Sequence, residues 1–291
     1  MPAATTHVAF AKDVYRLSRS VQSRVTDLPM YLLGSQGPDL LFFSRASILP
    51  GSLKKYGNLM HEHKVYEIIR YFENYARKDS ALTSYIAGYL CHYALDSTAH
   101  PLVYAVTSAI CGEQKDRETE THVGLEAEID VWVMHQRGRD IKAYDVYKDL
   151  RVGKESAHKL AAMYHAMFHD VLHLDIPEKR FYETVKEIPM WTSLLYPRRS
   201  VYYAIRTIEV ALGNHAFSNM MLVDKYDEMI INNDHLTYTL PWQPHEKISA
   251  SFPQLYGKAF TKAAALIEGH QRSDFILDFN GIPSQLQNIP A

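Results

Sequence analysis

An all-α fold follows from three features of the sequence. Several long segments repeat apolar residues three and four positions apart, the spacing of one helical face. Few stretches alternate in the two-residue rhythm of a surface strand. With 47% hydrophobic, 12% aromatic and 22% charged residues in 291, the chain can bury a sizeable core and lacks the signature of disorder.

The elements can be taken in order. Residues 7 to about 22 form the first expected helix, capped by Thr5 or Thr6, with Val8, Val14, Leu17 and Val21 along its stripe and His7 in its first turn. The segment LLGSQGPDLLFF puts Gly34, Gly37 and Pro38 directly before Asp39, which favours a tight turn and holds Asp39 on short backbone. Helices are expected over 60–77, carrying Val65, Ile68, Ile69 and Phe72, and over about 80–99, with Pro101 ending or kinking the second near His100. Further helical patterns run over about 119–136, 155–171, 178–195 and 198–223. The stretch NNDHLTYTLPWQPHEK, with two prolines, reads as loop before a last helix near 252–269, whose Phe260, Ala263 and Leu266 turn back onto the main body. The expected organisation is a helical domain over 1–225, with a loop and C-terminal helical extension over 226–291 packed on it.

Charge and cysteine content narrow the function classes. The formal charge is -2, from 31 basic and 33 acidic side chains without a long block of one sign, so neither nucleic acid nor an anionic membrane has a surface to favour. Lys12, Asp13 and Arg16 interrupt the start before any adequate apolar stretch, which reads as neither a secretory signal nor an anchor; the expectation is a cytoplasmic protein. Cys91 and Cys111 cannot supply a four-thiolate zinc site, so a metal would be held by imidazole and carboxylate. There are 15 histidines to draw on.

Their placement carries the chemistry. In GYLCHYALDSTAHP, His92, Asp96 and His100 recur every four residues and share one helical face. Eight residues of helix rise about 12 Å, too far for all three to converge on one ion, so the spacing favours a row of metals with Asp96 between them. His122 and Glu126 repeat the four-residue pairing, while Glu128 turns away from that face. His61 and His63 are two apart, so one at most points into a shared site. Read singly, a pair is first a buried histidine hydrogen-bonded to a helix carboxylate; two pairs and a third in-phase histidine weigh against that reading.

A second ladder competes with the first. His165, His169 and His173 also recur by four, with His158 one heptad earlier, but no carboxylate lies in phase between them. Structural hydrogen bonds or a solvated face are their expected roles. Tyr85, Tyr89 and Tyr93 share a four-residue spacing too; with Tyr56 they either line an organic substrate pocket or form an aromatic packing stripe. Glu62 is open to two roles as well, proton transfer or a solvent-facing side chain.

At these residues the sequence resembles the zinc-dependent phospholipase C family, related to the single-strand-specific zinc nucleases. THVAFA, GSQGPDLLFF, NLMH, GYLCHYALDSTAHP and HVGLEAEID stand in the order found in its bacterial intracellular members. The resemblance implies a compact multi-helix fold and two or three zinc ions, with manganese or iron as alternatives for such nitrogen and oxygen ligands. By it, Asp39, His61, His92 and Asp96 surround one zinc, and His100, His122 and Glu126 another. His7, with Asp96, matches a third position, where secreted relatives add the amine and carbonyl of a terminal tryptophan; this chain has MPAATT before His7 instead.

The function expected from this set is metal-dependent phosphoester hydrolysis by an activated water, on a small phosphodiester or a phospholipid headgroup, with Asp39 as ligand first and general base second. The alternatives are a non-catalytic metal-binding structural or regulatory protein, and a helical interaction protein whose histidines satisfy core polar groups.

Overall fold

The architecture is built round one long helix. In the computed structural model, which describes residues 4–47, 49–195, 199–211 and 225–284, the chain opens with α1 (Ala4–Leu17), α2 (Arg19–Arg24) and α3 (Leu28–Gly34). A 3-10 stretch, Gly37–Ser47, leads to α4 (Lys54–Glu62) and α5 (Val65–Ala76). Then comes α6 (Ser80–Cys111), followed by α7 (Glu118–Gln136), α8 (Val146–Leu150), α9 (Lys154–Asp170), α10 (Glu178–Leu195) and α11 (Arg199–Ala211). A short α12 (Glu228–Ile231), a hairpin and α13 (Phe252–Glu268) complete the fold, which is all-α apart from that hairpin.

Helix α6 is apolar all round, with Leu82, Ile86, Leu90, Leu95, Val103 and Val106 buried, as a helix covered on every side requires. Helices α3, α13, α7, α1 and α5 pack round it. Each such side chain contributes roughly 1.5–3 kcal/mol relative to exposure. The Asp79 side chain accepts the Ala81 and Leu82 N–H groups at 3.0 and 3.1 Å, a cap of about 1 kcal/mol that fixes where the helix starts. Phe252, Leu255, Ala259, Ala263 and Leu266 of α13 join the same buried core as α1, α3 and α6.

Several expected boundaries move. The helix expected over 7–22 is divided at Ser18, whose hydroxyl caps α2 by accepting the Val21 N–H. That expected over 60–77 is divided between α4 and α5, where Lys64 takes a left-handed φ of 55°. Pro101 does not end its helix: α6 runs on to Cys111. The lost N–H bond and ring clash cost about 3 kcal/mol in an isolated helix, and the packing of α13, α7 and α3 on α6 outweighs them. The stretch expected as loop contains an antiparallel pair, β1 (Tyr238–Leu240) with β2 (Gln243–Ile248), registering Tyr238 with Ile248 and Thr239 with Lys247. Pro244 is tolerated because a two-stranded ribbon has only edges. Of the helix expected over 198–223, residue 198 and residues 212–223 lie outside the described residues. No described helix is long and apolar enough to cross a membrane.

Candidate metal centre

Four helices and the 3-10 stretch deliver the polar side chains to one volume. Helix α6 sets His92, Asp96 and His100 along one face, and α7 does the same for His122 and Glu126. His61 comes from the last turn of α4, Asp39 from the 3-10 stretch and His7 from the first turns of α1. That start of α1 is itself anchored. Thr5 N, Thr6 N and Thr6 Oγ1 donate to the Asp130 carboxylate at 3.3, 2.7 and 2.5 Å, at the end of a helix where negative charge is favoured. Burial nonetheless pushes the Asp130 carboxyl up to about 8.

The eight side chains form one chain of contacts. His7 Nε2 lies 3.1 Å from Asp96 Oδ1, and His92 Nε2 lies 2.9 Å from Asp96 Oδ2. His61 Nε2 is 3.1 Å from Asp39 Oδ1 and 3.9 Å from Asp96 Oδ2. On the other side of Asp96, His100 Nε2 is 3.7 Å from Oδ1 and 3.1 Å from Glu126 Oε1, which His122 Nε2 approaches to 3.4 Å. Asp96 is the hinge between the two ends, and the rings of His7 and His92 stack at 4.0 Å.

Backbone carbonyls behind the imidazoles set their orientation. His61 Nδ1 donates to Gly57 O at 2.8 Å, His92 Nδ1 to Ser35 O at 3.0 Å and His100 Nδ1 to Phe279 O at 3.1 Å. A carbonyl can only accept, so each neutral ring carries its proton on Nδ1 and turns the Nε2 lone pair toward the carboxylates. Gly37, at φ +50°, lets the turn close over His92: a Cβ there would lie 2.3 Å from the ring.

The electrostatics follow from crowding. Burial disfavours the charged form of Asp39, but the surrounding positive charge, His61 and His92 included, outweighs it and holds the carboxyl at about 2. Asp96 is likewise buried, yet His100, His92 and His7 keep it well below the usual carboxylate range. Burial works against charge on His100, and Asp96 with Glu126 lift that imidazole to about 9 all the same. His7 goes the other way, lowered by burial and by His92.

This donor set fits a metal. Within it, His7–His92–Asp96, Asp39–His61–His92 and His100–His122–Glu126 each bring their ligand atoms within 4.8 Å of one another, and imidazole with carboxylate is a zinc donor set. His92 Nε2 is buried without a hydrogen-bond partner although Asp96 is near, so its lone pair is left for another acceptor of electron density. A cavity of about 550 Å³ opens onto Asp39, His61, His100, His122 and Glu126.

A family model described as zinc-dependent phospholipase C matches residues 6–174, more than half of the chain. The chain belongs to the zinc-dependent phospholipase C family. All eight converging side chains lie inside the match, and the family's metal is zinc. No curated protein and no solved structure matches the chain.

Around the eight converging side chains, which lie inside the match to the zinc-dependent phospholipase C family, the structure sorts the remaining expectations. His61 points inward, while His63 forms the C-cap of α4 and belongs neither to the ligand groups nor to the cavity lining. Glu128 binds Asp227 N at 2.8 Å, outside the cluster. Tyr85, Tyr89 and Tyr93 are fully buried packing groups, Tyr56 meets Phe168 edge-on, and none of the four lines the cavity. Glu62 lines the cavity at an exposed position. Sequence reasoning missed Tyr104 and Ser108, which line the cavity and continue the His92–Asp96–His100 spacing by two further steps. It missed Asn58 in the same way, four residues before Glu62, and Phe279, which carries no spacing signal at all.

Proposed function

We propose that this chain is a zinc-dependent phosphodiesterase of the phospholipase C type, acting on a small phosphodiester or a phospholipid headgroup in the cytoplasm. One observation carries the reading: the two ends of the ligand chain face a single cavity of about 550 Å³, within the size range of small-molecule sites. A purely structural metal site has its ligands closed off.

Asp39, His61, His92 and Asp96 would hold one zinc, and His100, His122 and Glu126 a second; His7 with Asp96 would serve a third. Bound there, zinc supplies Lewis acidity toward phosphoryl oxygens and makes water acidic enough to attack at neutral pH. Asp39 has a second role besides binding. Its Oδ1 faces His61, and its carboxylate, held ionised and lining the cavity, orients the attacking water and takes its proton on Oδ2. Phe42 and Tyr104 wall the cavity and limit the water that reaches the phosphoryl group. Attack forms a bond from the water oxygen to phosphorus and breaks the one to the leaving oxygen, which takes up the proton that Asp39 removed.

The test is turnover of zinc-loaded protein on bis(p-nitrophenyl) phosphate and on phosphatidylcholine vesicles, beside Asp39→Asn. Turnover that falls roughly 10²–10⁴-fold in the variant supports the reading. Stoichiometric zinc without turnover on either substrate overturns it in favour of a structural or regulatory metal site.

A further inference from the structure

The family match stops at residue 174, yet the ring of His100 is held from about a hundred residues farther along the chain. After the 3-10 turn Arg272–Phe275 the backbone makes a tight reversal, with Asp278 N donating to Ile282 O at 2.9 Å and Ile282 N to Asp278 Oδ1 at 2.8 Å. Phe279 sits at its apex, fully buried, its ring against His61, His92, Tyr89 and Tyr93 at centroid distances of 5.2–5.7 Å.

Its backbone ties both ends of the cluster. Phe279 N donates to His61 O at 3.0 Å, and Phe279 O accepts from His100 Nδ1. Tyr104 donates to Asn280 Oδ1 at 3.1 Å, and Tyr93 donates to Leu277 O at 2.9 Å, so α6 grips the reversal from two sides. The seat for it is the place where Pro101 interrupts the α6 ladder. Gly281, at φ +75°, lies so close that a Cβ would stand 2.6 Å from Pro101 Cγ and 2.9 Å from Ser97 O. His61 and His92 take their orienting carbonyls from inside the matched region; His100 does not.

We infer that the reversal Asp278–Ile282 is a positioning element of the metal centre, with the Phe279 carbonyl fixing the His100 proton on Nδ1 so that Nε2 serves the His100–His122–Glu126 zinc. The inference rests on the zinc reading above. Loss of an outer-shell partner of a metal-bound histidine lowers metal affinity roughly 10–100-fold, and here the loss falls chiefly on the His100–His122–Glu126 zinc.

Gly281→Ala tests it, because the added Cβ must lift the reversal off Pro101 and Ser97. Zinc titration of the full chain should show the His100–His122–Glu126 ion weakened roughly 10–100-fold and the ion at His61 and His92 weakened less, with the far-UV spectrum of the chelated protein unchanged. In zinc-loaded protein labelled with ¹⁵N-histidine, exchange of the His100 Nδ1 proton should speed up in the variant. Tyr104→Phe removes one hydroxyl and almost no volume, so it folds even where Gly281→Ala does not; it should weaken the same ion several-fold. In a Glu126→Gln background neither change should lower zinc content further. Equal weakening of every ion, or none in either variant, overturns the inference while leaving the zinc reading standing. Wild-type protein that takes up no zinc at all overturns the zinc reading and this inference with it.

Discussion

Two histidine ladders in this chain have the same period and opposite surroundings. His92, Asp96 and His100 lie on a helix covered on every side, with a carboxylate in phase, a backbone carbonyl behind each imidazole and His7, His61 and Glu126 converging from other elements. His165, His169 and His173 lie at the edge of the fold: His165 Nδ1 donates to Ile176 O at 2.7 Å, His169 pairs with its exposed neighbour Asp170 at 2.8 Å, and His173 is exposed. Among the described residues, none of those three belongs to a group able to hold a metal. Period places side chains on a face; burial, a shared carboxylate and an acceptor on the far nitrogen turn that face into a candidate site.

The sharpest way to break the comparison is Asp96→Asn. Asp96 approaches four imidazoles, and the amide keeps its size while losing the charge. Zinc content should drop by more than one ion per chain, and turnover should fall by more than the roughly 10–100-fold that an outer-shell change costs. Loss of a single ion, measured by metal analysis of untagged protein, would remove Asp96 from its place between the two ends.

Removing the metal should have the next largest effect, and its pH dependence has a definite sign. In chelated protein His100 is raised to about 9 from its ordinary 6.5, by Asp96 and Glu126 against the opposing burial. Protonated His100 therefore stabilises the metal-free fold fully below about pH 6.5, and that contribution is lost as pH rises through about 9. Zinc must displace the same proton, so its apparent affinity should climb with pH over that window, by up to about tenfold per unit. Calorimetric titration from pH 6 to 9.5 measures the slope; a flat profile would separate His100 from the zinc it is assigned to. Zinc at a thousand times its dissociation constant should restore about 4 kcal/mol of stability.

A smaller effect is expected one layer out, at Asp130. Asp130→Ala leaves the Thr5 and Thr6 donors at the start of α1 without their acceptor, a cost of about 1–3 kcal/mol for each buried group left unsatisfied. Since α1 carries His7, the third metal position should suffer while the His100–His122–Glu126 group keeps its zinc. Asp130→Asn retains an acceptor and should lose less, and denaturant titration with metal analysis tells the two apart.

Sequence and structure agree where the signal is side-chain period and part where it is backbone. Of the eight convergent residues, His92, Asp96, His100, His122 and Glu126 were legible from their four-residue spacing, and His7, Asp39 and His61 through the family resemblance. The orienting carbonyls of Ser35, Gly57 and Phe279 were not, since a carbonyl is common to every residue and its aim depends on tertiary position. Tyr104 and Ser108 needed only the ladder carried past Pro101, but a proline read as ending or kinking the helix closed the count too early. The β1–β2 hairpin was read as loop because β2 leaves most of its side chains exposed and so shows no apolar alternation.

The smallest effects should come from the second ladder. His165→Ala removes one hydrogen bond to Ile176 O and should cost about 1 kcal/mol. His169→Ala, at a solvent-exposed position beside Asp170, should leave the denaturant midpoint essentially unchanged. His173 differs in sign: its φ of 56° is left-handed, a conformation that costs a residue with a Cβ about 1–2 kcal/mol, so His173→Gly should be neutral or slightly stabilising. All three should keep the wild-type zinc content and turnover, because none of these imidazoles approaches the cavity or the eight converging side chains. Denaturant midpoints and metal analysis on the same preparations check both halves of the claim. A lost ion in any of the three would show that period alone, without a buried carboxylate, is enough to recruit metal in this chain.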